Sequence, residues 1–171
     1  DWTVVSGEGG HTDLAPRTDM DIEILGYLRT QFDQVSHELV LSGAGLVNLF
    51  RAIAAISVSG IADIPSGIRP EDITRLAKED PNNMAAQAVR AFCRLLGGYA
   101  GDLALIFGAK GGVYIAGGIV PSLGPLFDTG IFRGCFEQKD RMAGYVSAIP
   151  SYIITAPTPA LTGLARLASR L

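Results

Sequence analysis

The sequence predicts an α/β (or α+β) layer domain, and three observations point there. Segments of helical period alternate with short β-rich runs: Met20, Ile24, Leu25, Leu28 and Phe32 recur at helix spacing, whereas 113–116 reads Val-Tyr-Ile-Ala between glycine pairs. Hydrophobic residues make up 48% of the chain and charged residues 18%, below the roughly 25% charged of an average globular domain, which excludes a charge-rich disordered chain. The 171 residues include 21 glycines and 9 prolines without a collagen period, a composition suited to tight turns and close backbone approaches. A chain of this length is able to bury a proper core.

Residues 2–6 read as a strand already in progress, followed by the glycine-dense loop Gly-Glu-Gly-Gly-His at 7–11. Thr18 is placed to cap a helix whose first turn carries Asp19, Asp21 and Glu23. Residues 39–42 read as a short strand or extended link, and 45–56 as a helix burying Leu46, Leu49, Ile53 and Ile56. After a loop over 57–69, Pro70 opens a helix that Pro81 closes. The longest helix is predicted over 83–107. Gly97, Gly98 and Gly101 inside it each cost about 1 kcal/mol relative to Ala, so a neighbouring element is expected to pack very close there. A buried strand over 113–116, a Pro-interrupted helical segment over 119–127, small helices around 130–146, a strand over 152–155 and a helix over 160–171 complete the reading.

The formal net charge is −3, without the basic bias of a nucleic-acid binder. Acidity is concentrated at the start: residues 1–38 hold eight acids and two bases. Cys93 and Cys135 lie 42 positions apart, a spacing that suggests neither a disulfide scaffold nor a zinc site. Met142–Ala165 is a stretch of 24 uncharged residues, but Pro150, Pro157 and Pro159 break it into short pieces. No signal-peptide pattern opens the sequence, so a soluble protein of a reducing cytoplasm is expected.

Three places carry candidate chemistry. In the 7–11 loop, small residues let the backbone approach a ligand while Glu8 and His11 project from it; a carboxylate accepts hydrogen bonds from hydroxyls, and an imidazole both donates and accepts. A plain surface turn is the alternative, and a metal site would need more ligands than His37 and scattered acids provide. There is no GxSxG elbow for a serine nucleophile. Glu38 emerges at the edge of the apolar run Leu39-Val40-Leu41, and Ser42-Gly43-Ala44-Gly45 enters the next helix, either as a cap or as donors to an anion. At 111–121, Gly-Gly-Val-Tyr-Ile-Ala-Gly-Gly-Ile-Val-Pro puts Gly117 and Gly118 after a strand, where an adenine or ribose could lie on backbone with no Cβ in the way. This is not the GxGxxG of a Rossmann site.

Taken together, Gly-Glu-Gly-Gly-His-x-Asp-x-Ala-Pro (7–16), Glu38 with Leu41-Ser42-Gly43-x-Gly45-Leu46-Val47-Asn48-Leu49, and the 111–121 segment resemble the C-terminal part of the bacterial glucokinase family, over nearly the whole chain. The resemblance implies the ribonuclease H-like, actin-type ATPase fold, as the C-terminal domain of a two-domain sugar kinase. It also implies that Glu8, His11 and Glu38 bind glucose hydroxyls, that Gly117 and Gly118 line the nucleotide cleft, and that ATP with Mg²⁺ phosphorylates glucose to glucose 6-phosphate in glycolysis. Relatives of this kind are often homodimers. Residues 1–157 would form most of the large domain, and 158–171 a helix that packs on a smaller domain.

The family's phosphate loop and its Asn-Asp pair, which supplies the catalytic base, have no match in these residues. The isolated chain is therefore expected to be an inactive portion of the enzyme. No Cys stands between Arg17 and His37, which favours the zinc-free branch over the related repressor and kinase group. Two rival readings stand beside the kinase: a non-catalytic sugar sensor on the same scaffold, and a structural half-domain that self-associates.

Overall fold

The structure, a computed structural model, describes residues 4–57 and 64–169. Helices dominate them: α1 (Asp19–Leu28), α2 (Glu38–Leu41), α3 (Gly43–Ile56), α4 (Pro70–Glu79), α5 (Met84–Ile106), α6 (Ile119–Leu123), α7 (Thr129–Glu137), α8 (Ala143–Ser147) and α9 (Pro159–Ala168). The two strands β1 (Val113–Ile115) and β2 (Ser151–Ile153) pair in parallel, Val113 opposite Ser151 and Ile115 opposite Ile153. Parallel pairing requires a crossover, and α6, α7 and α8 supply it.

Local chemistry starts each long helix where the sequence expected. Thr18 accepts from the Asp21 amide, and the Asp21 carboxylate accepts the Thr18 amide in return, a reciprocal capping box. Ser42 Oγ accepts from the Gly45 N–H (2.9 Å), Asn83 Oδ1 from Ala86 (2.8 Å) and Asp128 Oδ1 from Ile131 (2.8 Å). Ser42 therefore serves as a cap. Pro70 opens α4, and the Asp72 carboxylate accepts the Arg69 amide (3.1 Å).

The core gathers on α5, against which α3, α4 and α7 all pack. Ile24, Leu46, Leu49, Ile53, Ile73, Phe92 and Phe136 are buried there. The glycines of α5 explain the closeness. A Cβ at Gly97 would overlap the Phe132 carbonyl and one at Gly101 the Phe136 carbonyl, both on α7. A Cβ at Gly98 would sit 2.7 Å from Arg17 Nε. Helix backbones touch directly here, as the mid-helix glycines predicted.

Buried charges tie the layers together. Asp21 is fully buried and accepts from Arg94 on α5 (Nη2, 2.5 Å); removing one partner of such a pair costs about 3–5 kcal/mol. Arg17 binds Asp102 (2.8 Å), and Lys139 bonds both Asp102 and the Gly98 carbonyl. Burial pushes the Lys139 pKa down, and its hydrogen bond to Asp102 opposes that shift. Cys93 and Cys135 are both free thiols, and burial raises both, Cys93 to about 11.

Three expectations are corrected. The strand expected over 2–6 is absent from its described part: residues 4–6 are irregular, Val4 and Val5 are exposed, and no ladder partner lies among the described residues; residues 1–3 lie outside the described residues. The link over 39–42 is instead the helical turn α2. There the His37 carbonyl accepts from Leu41 (2.8 Å), and fully buried Val40 seats its backbone where a Cβ at Gly45 would go; so short an apolar run is ambiguous between strand and helix, and packing decides for the helix. The strand over 113–116 is half-buried, because Tyr114 stacks on Tyr152 across the exposed face of the pair (4.9 Å). Part of the loop expected over 57–69, residues 58–63, lies outside the described residues. No helix among the described residues is long and apolar enough to cross a membrane.

A methyl at Gly97 forces two helix backbones apart, whereas Gly26 on α1 faces open space. Gly97→Ala is therefore expected to destabilise the folded protein by about 1–3 kcal/mol through overpacking. Gly26→Ala is expected to stabilise it by up to about 1 kcal/mol through helix propensity. Urea midpoints of the two variants check this directly.

Candidate functional site

The 7–11 loop folds as one tight 3-10 turn over Gly9–His11. His11 donates its N–H to the Glu8 carbonyl (3.0 Å), and Thr12 donates both its N–H (3.0 Å) and its Oγ1–H (2.7 Å) to the Gly9 carbonyl. The chain after the turn is laced to residues 34–37. Leu14 N–H bonds the Val35 carbonyl (2.9 Å), His37 N–H the Thr12 carbonyl (3.1 Å), and Gln34 Nε2 the Asp13 carboxylate (2.7 Å).

That lacing delivers Glu38, the first residue of α2, to the turn. His11 Nε2 and Glu38 Oε2 stand 4.0 Å apart, with side chains 63% and 58% exposed. A Cβ at Gly10 would lie 3.1 Å from Glu38 Oε2, so a glycine there leaves room for the carboxylate. Glu8 is exposed, and its carboxylate takes no hydrogen bond among the described residues. His11 and Glu38 thus meet in an open corner, with the exposed Glu8 just before the turn.

The sequence reading missed what lies beneath the corner. His37 is only 6% exposed, and its ring stacks on Tyr99 of α5 at 3.9 Å between centroids. Its Nδ1 is buried without a hydrogen-bond partner among the described residues. Burial lowers the pKa of His37, with Asp102 pulling the other way. The ring is thus part of the core and not a spare metal ligand. No sequence signal pairs positions 37 and 99, since neither sits in a recognisable motif.

Gly117 and Gly118 follow β1 at its C-terminal end. Gly117 has φ +107°, a conformation that L side chains rarely adopt, and a Cβ at either glycine would point into open space. Gly118 lies on the rim of a cleft of about 470 Å³ whose other walls include Leu46 of α3 and Glu71, Thr74 and Lys78 of α4. The α4 wall was not anticipated from the sequence; its signal is the stripe of positions 71, 74 and 78 along one helix face. A second cleft of about 470 Å³ between α7 and β2 includes Arg133, but that guanidinium is already committed to Glu137 (2.6 Å) and the Ile149 carbonyl (3.0 Å).

The family model described as Glucokinase matches residues 1–171. A glucokinase of Paramagnetospirillum magneticum is 46% identical over 167 residues, covering 98% of this chain and 51% of its own length. One from Cronobacter sakazakii is 46% identical over 162 residues, covering 95% and 49%. The chain therefore spans about half the length of the curated relatives it matches. A solved glucokinase from an Antarctic psychrotroph superposes with a TM-score of 0.88 at 34% identity, over 99% of this chain and 51% of that one. A glucokinase of Balamuthia mandrillaris, solved in complex with glucose, gives a TM-score of 0.72 at 18% identity, over 91% and 44%; that likeness speaks to the fold alone.

The buried His37 ring has a pH consequence. Its folded pKa lies below the ordinary 6.5, so the unfolded chain takes up the proton first as pH falls. The stability that goes with a neutral ring is complete above about pH 6.5 and drains away below it. Relative to a His37→Phe variant, the native protein should lose thermal stability between about pH 7 and about pH 5. Paired melting curves at the two pH values show whether it does.

Proposed function

The chain belongs to the glucokinase family and shares its α/β fold, and on that premise we propose that it forms most of the large domain of an ATP-dependent hexose kinase. The whole protein would transfer the γ-phosphoryl group of ATP to the 6-hydroxyl of glucose, a cytoplasmic, glycolytic step. The observation that supports this best is the corner where His11 meets Glu38 at 4.0 Å. Glu8 and Glu38 would each accept hydrogen bonds from sugar hydroxyls, and His11 would donate or accept between them. Because the turn is closed by its own hydrogen bonds, the backbone carrying Glu8 and His11 would not have to reorganise when the sugar arrives. In phosphoryl transfer, positioning of the acceptor hydroxyl and neutralisation of charge supply most of the acceleration.

The nucleotide would lie against Gly117 and Gly118. The bare backbone there, with open space above both glycines, suits a flat base or ribose, and the cleft leading to α4 mixes the apolar Leu46 with Thr74 and Lys78. Among the described residues, no three His, Cys, Asp or Glu side chains gather as a metal site. Mg²⁺, which the family resemblance puts on the phosphates, would be held chiefly by the nucleotide and water.

Residues 158–171 are read as a separate helical element that packs on the remainder of the enzyme, leaving 1–157 as the domain proper. On α9, Leu161, Leu164 and Leu167 are 64%, 61% and 46% exposed, an apolar stripe that suits such packing.

The test is ATP-dependent formation of glucose 6-phosphate by the protein expressed from its complete reading frame. Glu8→Gln, His11→Ala and Glu38→Gln should each lower kcat/KM for glucose about 10- to 100-fold, the value of a hydrogen bond to a charged group. Gly118→Leu should raise the KM for ATP and leave that for glucose in place. Absence of turnover from a folded protein with Mg²⁺ present would favour the sugar-sensor reading. For α9, hydrogen exchange should show faster amides in the 171-residue chain alone than in the full-length protein; equal, core-like protection in both would overturn the proposed boundary.

A further inference from the structure

We propose that Tyr99 and His37 are positioning residues that set the distance between the Gly9–His11 turn and Glu38, an inference that rests on reading this corner as the sugar site. Tyr99 belongs to the most firmly held part of α5. Gly97 and Gly101 press their Cα atoms onto the α7 backbone, and two residues along a helix is about 200° of rotation. Tyr99 is therefore carried on the side of α5 facing away from α7, towards the candidate site.

Two separate pieces of that corner rest on this one ring. The Tyr99 hydroxyl lies directly under the turn, 2.8 Å from where a Cβ on Gly9 would stand. The His37 ring lies flat on the Tyr99 ring, 3.9 Å away and tilted by 22°. His37 immediately precedes Glu38 and bonds the Thr12 carbonyl through its N–H (3.1 Å). One plate thus supports the glycines next to Glu8 and His11 on one side and the backbone that delivers Glu38 on the other.

Among the described residues Nδ1 of His37 has no hydrogen-bond partner; what the ring does make is the face-to-face stack on Tyr99, and on the proposal that face is its contribution. A phenylalanine can reproduce that face and a leucine cannot.

The experiment uses the complete-reading-frame protein and compares Tyr99→Leu, His37→Leu and His37→Phe with Glu8→Gln, each measured for the KM of glucose, the KM of ATP, kcat and thermal midpoint. Displacing ligands by a fraction of an ångström should raise the glucose KM roughly tenfold in Tyr99→Leu and His37→Leu while the ATP KM stays in place. His37→Phe should recover most of that loss. A general loss of stability would move both KM values or neither, and that result would overturn the proposal, as would His37→Phe behaving like His37→Leu. If Glu8→Gln raises the glucose KM but the Tyr99 and His37 variants leave it alone, the platform alone fails. If Glu8→Gln also leaves it alone, the sugar-site reading beneath the proposal fails.

Discussion

Backbone-to-backbone contact between α5 and α7 is the constraint on which the rest of the molecule hangs. At Gly97 and Gly101 the long helix has no side chain between its own Cα atoms and the carbonyls of Phe132 and Phe136. Helices normally pack about 8–10 Å apart on interleaved side chains; without side chains at the contact, the relative position of the two leaves almost no slack. The Arg17, Asp102 and Lys139 cluster sits at the same level of α5, and Arg17 and Lys139 both reach the Gly98 carbonyl. Core, crossover and the segment after the 7–11 loop therefore share one fixed reference line.

The two candidate sites use opposite chemistry on that frame. Around His11, side chains form the surface: charged acceptors on an otherwise glycine-lined turn, open to solvent. Around Gly118 the backbone itself is the surface, and side chains of α4 stand across the cleft. The first arrangement suits a ligand made of hydroxyls, which are read one hydrogen bond at a time. The second suits a flat ligand, which is read by shape.

Much of this was legible in the sequence, for physical reasons that differ from place to place. Helix starts are local events, so Thr18, Ser42 and Pro70 announced theirs, while the caps at Asn83 and Asp128 came only with the structure. The glycines of α5 were readable because their unfavourable helix propensity demanded a reason. The corner of Glu8, His11 and Glu38 was reached through motif order, and the structure brings His11 and Glu38 together while its role as a site is a proposal. The helical turn at α2 was not readable, because a run as short as Leu39, Val40 and Leu41 fits a strand or a helix equally and only burial against α3 decides. The stack of His37 on Tyr99 joins residues far apart in sequence, and the stripe on α4 acquires meaning only when α6 is folded against it. Residues 4–6 of the strand expected over 2–6 are irregular for the converse reason: they prefer extension, but a strand is completed by a neighbour, and none lies among the described residues.

Asp21 performs two tasks with a single carboxylate. It closes the capping box of α1 and also neutralises Arg94, which belongs to α5. Helix ends ordinarily fray on their own, at little free-energy expense to the rest of a domain. The first turn of α1 has no such independence, since unwinding it withdraws the counter-charge from a guanidinium whose side chain is only 20% exposed. Opening at this terminus is thereby coupled to loosening of the central helix. Proteases and exchanging solvent should meet residues 17–21 as part of the cooperative core and not as a loose beginning.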